Sequence, residues 1–333
     1  MLSAMCLAGF AQTNIRLNHY WENPYTVTPA FISNLGVAEF SAAARKQWVN
    51  FDGAPTSLYL TASTYLEDWH TQLGVKAFAD KIGYTSAIDV SLSYAHAVQL
   101  SNTWRLHLGL AVSYQSLSYD LSKATLATGD VATDPAVNLQ GVNFVNGDLG
   151  IELASKSWRI GIAAQNLLSR VPYFTNKLKN STNDYTGYLE NNANFAYIVY
   201  RSYSQNQFDF SLGVTGMSYS PAPATKVSIL DNLSNTVLTT TAAGPTLNQA
   251  EVYGAIIYKT GPDYKRTDKL KLGFFYRTPS EAGAIFTVYF DESFSLSYSY
   301  DYNFSPVKTF SLGSHEIMLT YRIPKPEPCH SCY

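Results

Sequence analysis

Residues 293–302 read Ser-Phe-Ser-Leu-Ser-Tyr-Ser-Tyr-Asp-Tyr. Every second position is large and apolar or aromatic: Phe294, Leu296, Tyr298, Tyr300 and Tyr302. The positions between them, Ser293, Ser295, Ser297, Ser299 and Asp301, are small or polar. Successive side chains of a β-strand point to opposite faces, so this stretch builds one aromatic wall and one hydroxyl wall. A helix, at about 3.6 residues per turn, would scatter both sets around its axis.

The same period recurs in both directions from this segment. Leu106, Leu108, Leu110, Val112 and Tyr114 alternate with Arg105, His107, Gly109, Ala111 and Ser113. Ile88, Val90, Leu92 and Tyr94 do so with Ala87, Asp89, Ser91 and Ser93. Phe208, Phe210, Leu212 and Val214 do so with Asp209, Ser211, Gly213 and Thr215, and Leu270, Leu272, Phe274 and Tyr276 with Lys269, Lys271, Gly273 and Phe275. The period predicts strands near 36–48, 55–67, 70–80, 84–98, 103–118, 142–155, 157–168, 191–204, 206–219, 250–260, 268–278, 282–290, 293–303 and 313–323. That makes about 14 strands, an even number, as in single-chain outer-membrane barrels. Many reach the roughly 10 residues that cross a bilayer at a tilt.

The connections sort by length. Those after even-numbered strands are mostly tight, at 68–69, 99–102, 156, 205 and 291–292, with 261–267 longer. Those after odd-numbered strands include every long one, at 119–141, 169–190 and 220–249. Short periplasmic turns and long extracellular loops are the outer-membrane pattern. Alternation also suits the half-buried sheets of a soluble β-sandwich. Strand length and the second face argue against that reading. A sandwich usually exposes Lys and Glu, whereas this face carries Ser, Gly, Ala and Thr.

Composition agrees. Charged residues make up 14 % of the 333 residues, against roughly 25 % in a soluble domain. Aromatics make up another 14 %, led by 25 tyrosines and 17 phenylalanines. A mean hydropathy of -0.10 is too low for a helical membrane protein, and no stretch approaches the roughly 20 apolar residues of a spanning helix. If the chain lies in a membrane, a closed barrel is the remaining way to satisfy its backbone. The net charge of -2 gives no basic field for nucleic acid.

The expected fold is therefore all-β, an antiparallel transmembrane barrel over residues 36–323. Residues 1–11 read as a signal peptide shortened at its start, with Gly9 and Ala11 in an A-x-A-like pattern before Gln12. Bulky Met5 before Cys6 makes a poor lipoprotein signal. Residues 12–35 form an N-terminal periplasmic arm, Asn- and Pro-rich, suited to plug the lumen or dock a periplasmic partner. Residues 324–333 form a Pro- and Cys-containing periplasmic tail.

No catalytic constellation emerges. G-x-S-x-G, H-E-x-x-H, Walker and Rossmann patterns are missing. The histidines (His19, His70, His96, His107, His315 and His330) are scattered, and His96 and His107 on strands read as polar lining. Cys329 and Cys332 follow a Pro-rich spacer, not the strand-to-helix setting of a redox motif. With His330 they offer three ligands, fewer than a zinc site wants. A local disulfide and free thiols both remain open. No enzyme activity, cofactor or metal is expected.

Four segments, in order, resemble one family. Tyr20-Trp21-Glu22-Asn23-Pro24-Tyr25 followed by Pro29-Ala30 is similar to the Asn-Pro, then Pro-Ala opening of the PorP/SprF family. Arg45-Lys46-Gln47-Trp48 followed by Gly53-Ala54-Pro55 resembles its Gln-Trp and Gly-Ala-Pro motif. Tyr298-Ser299-Tyr300-Asp301 and Gly313-Ser314-His315-Glu316-Ile317 resemble its last two strands. The tail departs from the family, where Cys-Pro is commoner than Cys-His-Ser-Cys. The resemblance implies an outer-membrane component of the type IX secretion and gliding machinery of Bacteroidetes. It implies as partners, besides outer-membrane lipids, a secreted adhesin with a C-terminal sorting domain, the periplasmic PorK/PorN ring and a PorE-like peptidoglycan-binding lipoprotein. Residue by residue, simpler roles are expected. Gly53-Ala54-Pro55 makes a turn, Trp48 and Tyr25 anchor at the membrane interface, and His315 and Glu316 pair inside the barrel. Gln47 and Trp48, beside a surface-side turn, are the best partner-binding candidates. The alternative function is a pore or hydrophobic-solute channel.

Overall fold

The structure is a computed structural model describing residues 17–20, 22–33, 37–119, 142–168, 170–176, 185–201, 207–221, 227–230, 237–240, 247–260, 270–278 and 280–324. The expected signal peptide with Cys6, Trp21, and the tail beyond Pro324 with Cys329 and Cys332 lie outside the described residues.

Seventeen strands are described: β1 (Ala38–Lys46), β2 (Thr56–Leu66), β3 (Thr71–Ile82), β4 (Thr85–Gln99), β5 (Arg105–Tyr119), β6 (Val142–Ala154), β7 (Trp158–Gln165), β8 (Arg170–Asn176), β9 (Tyr185–Tyr200), β10 (Gln207–Pro221), β11 (Val227–Leu230), β12 (Val237–Thr240), β13 (Leu247–Lys259), β14 (Leu270–Arg277), β15 (Glu281–Tyr289), β16 (Phe294–Asn303) and β17 (Ser314–Ile323). All but β8, β11 and β12 form one antiparallel ring of 14 strands. It closes where β1 pairs with β17, from Ala38↔Ile323 to Lys46↔His315. Closure removes every edge, so the wall satisfies its own backbone in lipid.

The ring strands coincide with the periodic segments read from the sequence. The three additional strands fall in stretches expected to be loops. β8 pairs only with the extended start of β9, and β11 and β12 make a separate hairpin. With seven residues in β8 and four in β11, their period is too brief to stand out from a polar loop.

Alternation in burial confirms two faces. Along β17 and β16, buried residues such as Ser299, Asp301, Glu316 and Thr320 alternate with outward Tyr298, Ile317 and Leu319. The outer wall is apolar: Leu58, Leu92, Leu110, Ile162 and Phe274 are each about half exposed or more. Its rows of Leu, Ile, Val and Phe face lipid, where apolar side chains need no cover.

Candidate functional site

Within the segment 17–33, the described residues 17–20 and 22–33 run inside the ring and touch strands around most of its circumference. Near the end carrying the long connections, Asn18 and His19 meet the tips of three strands, β14, β16 and β17. The Asn18 backbone N–H donates to Glu316 Oε2 at 2.8 Å, and its Nδ2 donates to Asp301 Oδ2 at 2.6 Å. Its Oδ1 accepts from Arg277 Nη2 at 2.6 Å. His19 Nδ1 lies 2.7 Å from Glu316 Oε1. Arg45 Nη1 bridges Asp301 at 2.7 Å and Glu316 at 3.3 Å, and Arg277 Nη1 donates to Glu281 at 2.8 Å. All these side chains are buried. A lone buried charge costs several kcal/mol, on the order of 3–5 when its partner is removed. Here cations and carboxylates alternate, so each charge has an opposite neighbour.

The chain then turns at Asn23-Pro24-Tyr25. Pro24 opens a single 3-10 turn, Pro24–Thr26, for which its fixed φ is already suited. The Asn23 carbonyl accepts from Thr26 N–H at 3.1 Å, and Asn23 Nδ2 donates to Thr61 at 2.9 Å. Tyr25 Oη lies 2.6 Å from Ser93 Oγ. Its phenol fills the space left by Gly74, where an added Cβ would come within 2.3 Å of Oη. Pro29-Ala30 next crosses Gly109 and Gly150, which are paired across β5 and β6. A Cβ on Gly109 would approach Ala30 N to 2.3 Å, and one on Gly150 would meet Thr28 Oγ1 at 2.4 Å. The Asn-Pro-Tyr and Pro-Ala motifs are thus the docking points of this segment on the inner wall. Tyr25, expected at the membrane interface, is buried in the lumen instead, because it precedes the first strand and never reaches the outer face.

Towards the short-turn end, Gln72 clamps the segment, donating to the Phe31 carbonyl at 2.7 Å and accepting from Ser33 N–H at 2.8 Å. Arg159 donates to the Ile32 carbonyl at 3.0 Å and to Glu152 at 2.6 Å, and its guanidinium lies 4.5 Å from the Phe31 ring centroid. His107 Nδ1 completes this cluster at 2.9 Å from Glu152. His107 therefore lines the lumen. His96 sits on the outer face beside Thr71, at 3.2 Å.

The Gln-Trp and Gly-Ala-Pro residues form the rim. Buried Gln47 pairs through its N–H with the Pro55 carbonyl at 3.0 Å. Trp48 has a φ of 44°, and its N–H donates to Ser314 Oγ at 3.3 Å. Val49 exchanges backbone bonds with Gly313 and Leu312, while the Gly53 carbonyl accepts from Gly83 at 2.9 Å. The β1–β2 connection, with Ala54 and Pro55 buried at its base, is thereby laced to the β16–β17 connection and to the β3–β4 turn.

The structure brings Asp301 and Glu316 together around Arg45, but separates His315 from Glu316. Neighbours on a strand face opposite sides, so Glu316 points to His19 while His315 stands on the outer wall. There its Nδ1 lies 2.6 Å from Tyr298 Oη and its ring 5.2 Å from that of Tyr300. Tyr300 Oη donates to the Leu312 carbonyl at 2.9 Å. Sequence reasoning missed Arg45, Arg277, Glu281, Glu152 and Arg159 as inner-wall charges. The available signal was strand phase, since each has the parity opposite to the large outward residues of its strand, such as Phe40, Phe274, Phe286, Ile151 and Ile160. Among the described residues, no group of three or more His, Cys, Asp or Glu is arranged to hold a metal ion.

The solved structures similar to this fold are outer-membrane barrels. The CymD monoaromatic hydrocarbon channel aligns at a TM-score of 0.52, with 13 % identity and 94 % of each chain covered. At that identity the likeness establishes the fold alone. A FadL homologue of Pseudomonas aeruginosa matches more loosely, at a TM-score of 0.46 and 10 % identity, over 88 % of this chain and 92 % of its own. No curated protein matches by sequence. The family described as type IX secretion system membrane protein PorP/SprF matches residues 9–321. With the barrel, that match sets the chain in the outer membrane, and the protein belongs to the PorP/SprF family.

Proposed function

We propose that this chain is a sealed, non-enzymatic anchor of the type IX secretion and gliding machinery, holding partners at both faces of the outer membrane. The observation that carries this reading is the segment 17–33, which spans the lumen and is bonded to its wall at both ends. A passive channel needs an open path, and this segment occupies it. The described residues 17–20 and 22–33 act as the plug. The work then falls to the two rims. At the long-connection rim, Gln47, Trp48 and the Gly53-Ala54-Pro55 turn present a braced surface for a secreted adhesin with a C-terminal sorting domain. At the short-turn end, the exposed turns meet the PorK/PorN ring and a PorE-like peptidoglycan-binding lipoprotein. Deleting the gene and comparing surface proteomes tests the reading. A defined set of sorting-domain proteins is expected to leave the surface, and an unchanged surface proteome would overturn it.

A further inference from the structure

The outer wall of the barrel carries almost no charge. On the outward strand positions whose side chains are described, only Lys46 and Lys81 bear a full charge, and both are exposed. Their positions are related. The register places Tyr300 opposite His315, His315 opposite Lys46, Lys46 opposite Thr56, and Thr56 opposite Lys81. These five residues form one lateral row across β16, β17, β1, β2 and β3, at the end carrying the long connections. Lys46 Nζ donates to Thr56 Oγ1 at 3.0 Å. Among the described residues, neither lysine has a carboxylate partner.

Below each lysine the wall is shallow. Ala44 and Ala42 lie beneath Lys46, and Ala79 and Ala77 beneath Lys81. Between them stands the ridge of Leu58 and Leu60, about 56 % and 55 % exposed. Ile317 and Leu319 flank one furrow, and Ile88 and Val90 the other. Strands lie about 4.8 Å apart, so the two lysine stems are roughly 10 Å apart. A cation at the head of an apolar furrow is the complement of a lipid with an anionic head and straight acyl chains. Burying two lysines against hydrocarbon with no counter-charge is costly, whereas an anionic headgroup at the membrane surface is worth on the order of 1 kcal/mol per lysine.

We propose that Lys46 and Lys81, with Thr56 and His315 beside them, bind the phosphate headgroup of an outer-leaflet lipid whose acyl chains lie in the two alanine furrows. The long-connection end of an outer-membrane barrel faces the cell exterior, which assigns the row to that leaflet. The lipid clamps β17, β1, β2 and β3, the strands that carry the barrel seam and the braced rim.

Native mass spectrometry of the full chain in a neutral detergent tests this, with bisphosphorylated lipid A as the probe and phosphatidylcholine as the neutral comparison. The wild type is expected to retain lipid A and not phosphatidylcholine. Replacing both lysines, Lys46→Gln with Lys81→Gln, should lower lipid A occupancy about tenfold or more. Lys46→Arg with Lys81→Arg should retain it, which separates lost charge from lost folding. Lys308→Gln, in the rim connection rather than on the wall, should leave retention unchanged. Undiminished retention in the double Gln variant, equal retention of phosphatidylcholine, or an equal loss in Lys308→Gln would each overturn the proposal.

Discussion

The two faces of the same strands follow opposite rules. Inside, Arg45, Arg277, Asp301 and Glu316 are buried as charges and survive because each meets an opposite charge or the polar backbone of the segment 17–33. Outside, Leu58, Leu110 and Ile317 are exposed as hydrocarbon and survive because their solvent is lipid. Exposure therefore means nothing here until the face is known. An exposed leucine is satisfied and a buried arginine is satisfied, the reverse of a soluble domain.

The contrast can be broken from either side. The largest effect is expected from Arg45→Ala, which leaves Asp301 and Glu316 buried without their bridging cation. A loss of about 3–5 kcal/mol should appear in urea unfolding of the refolded barrel. If the loss were under about 1 kcal/mol, water rather than Arg45 would be solvating the carboxylates. From outside, Leu110→Arg near the middle of β5 puts a charge into hydrocarbon, and should cost about 2–4 kcal/mol in lipid vesicles.

Two smaller changes sharpen the comparison by acting on the filled lumen alone. Gly150→Val drives a branched side chain into Thr28 and Ala30 and should cost about 1–3 kcal/mol. In planar bilayers the wild type should be silent and this variant should conduct. A silent Gly150→Val barrel of full stability would show that the segment yields without leaving its seat. Tyr25→Phe removes only the bond to Ser93 and should cost about 1 kcal/mol, read as a shift in the same unfolding midpoint.

Much of this architecture was legible in the sequence. A period of two needs no tertiary information, so Phe294 to Tyr302 declares its strand alone, and the even count with sorted loops declares the barrel. The Asn23-Pro24-Tyr25 turn and Asp301 with Glu316 were legible as motifs, but not their meeting place. Arg45 sits on β1, far along the chain from Arg277 and Glu281 on the adjoining β14 and β15, and only ring closure brings β1 beside β17. Gly109 read only as a small residue on the second face of its strand, and Gly150 drew no reading at all. Their meaning, room for Pro29-Ala30, exists only once something lies against them. His315 and Glu316 were read as a pair because they are adjacent, although adjacency on a strand guarantees separation.

The bond between Asn18 and Glu316 joins residues 298 positions apart in the chain. It joins the first described stretch of the chain to its last strand inside a closed wall. Such a segment cannot be threaded into a finished barrel without tearing through its clamps at both ends. Biogenesis therefore has an order: the early segment must already lie along the curling sheet when β17 zips onto β1. A chain interrupted before β17 would lack both the closing strand and the carboxylate that Asn18 and His19 engage. The same contact that holds the segment in the lumen thus also records that synthesis had reached β17.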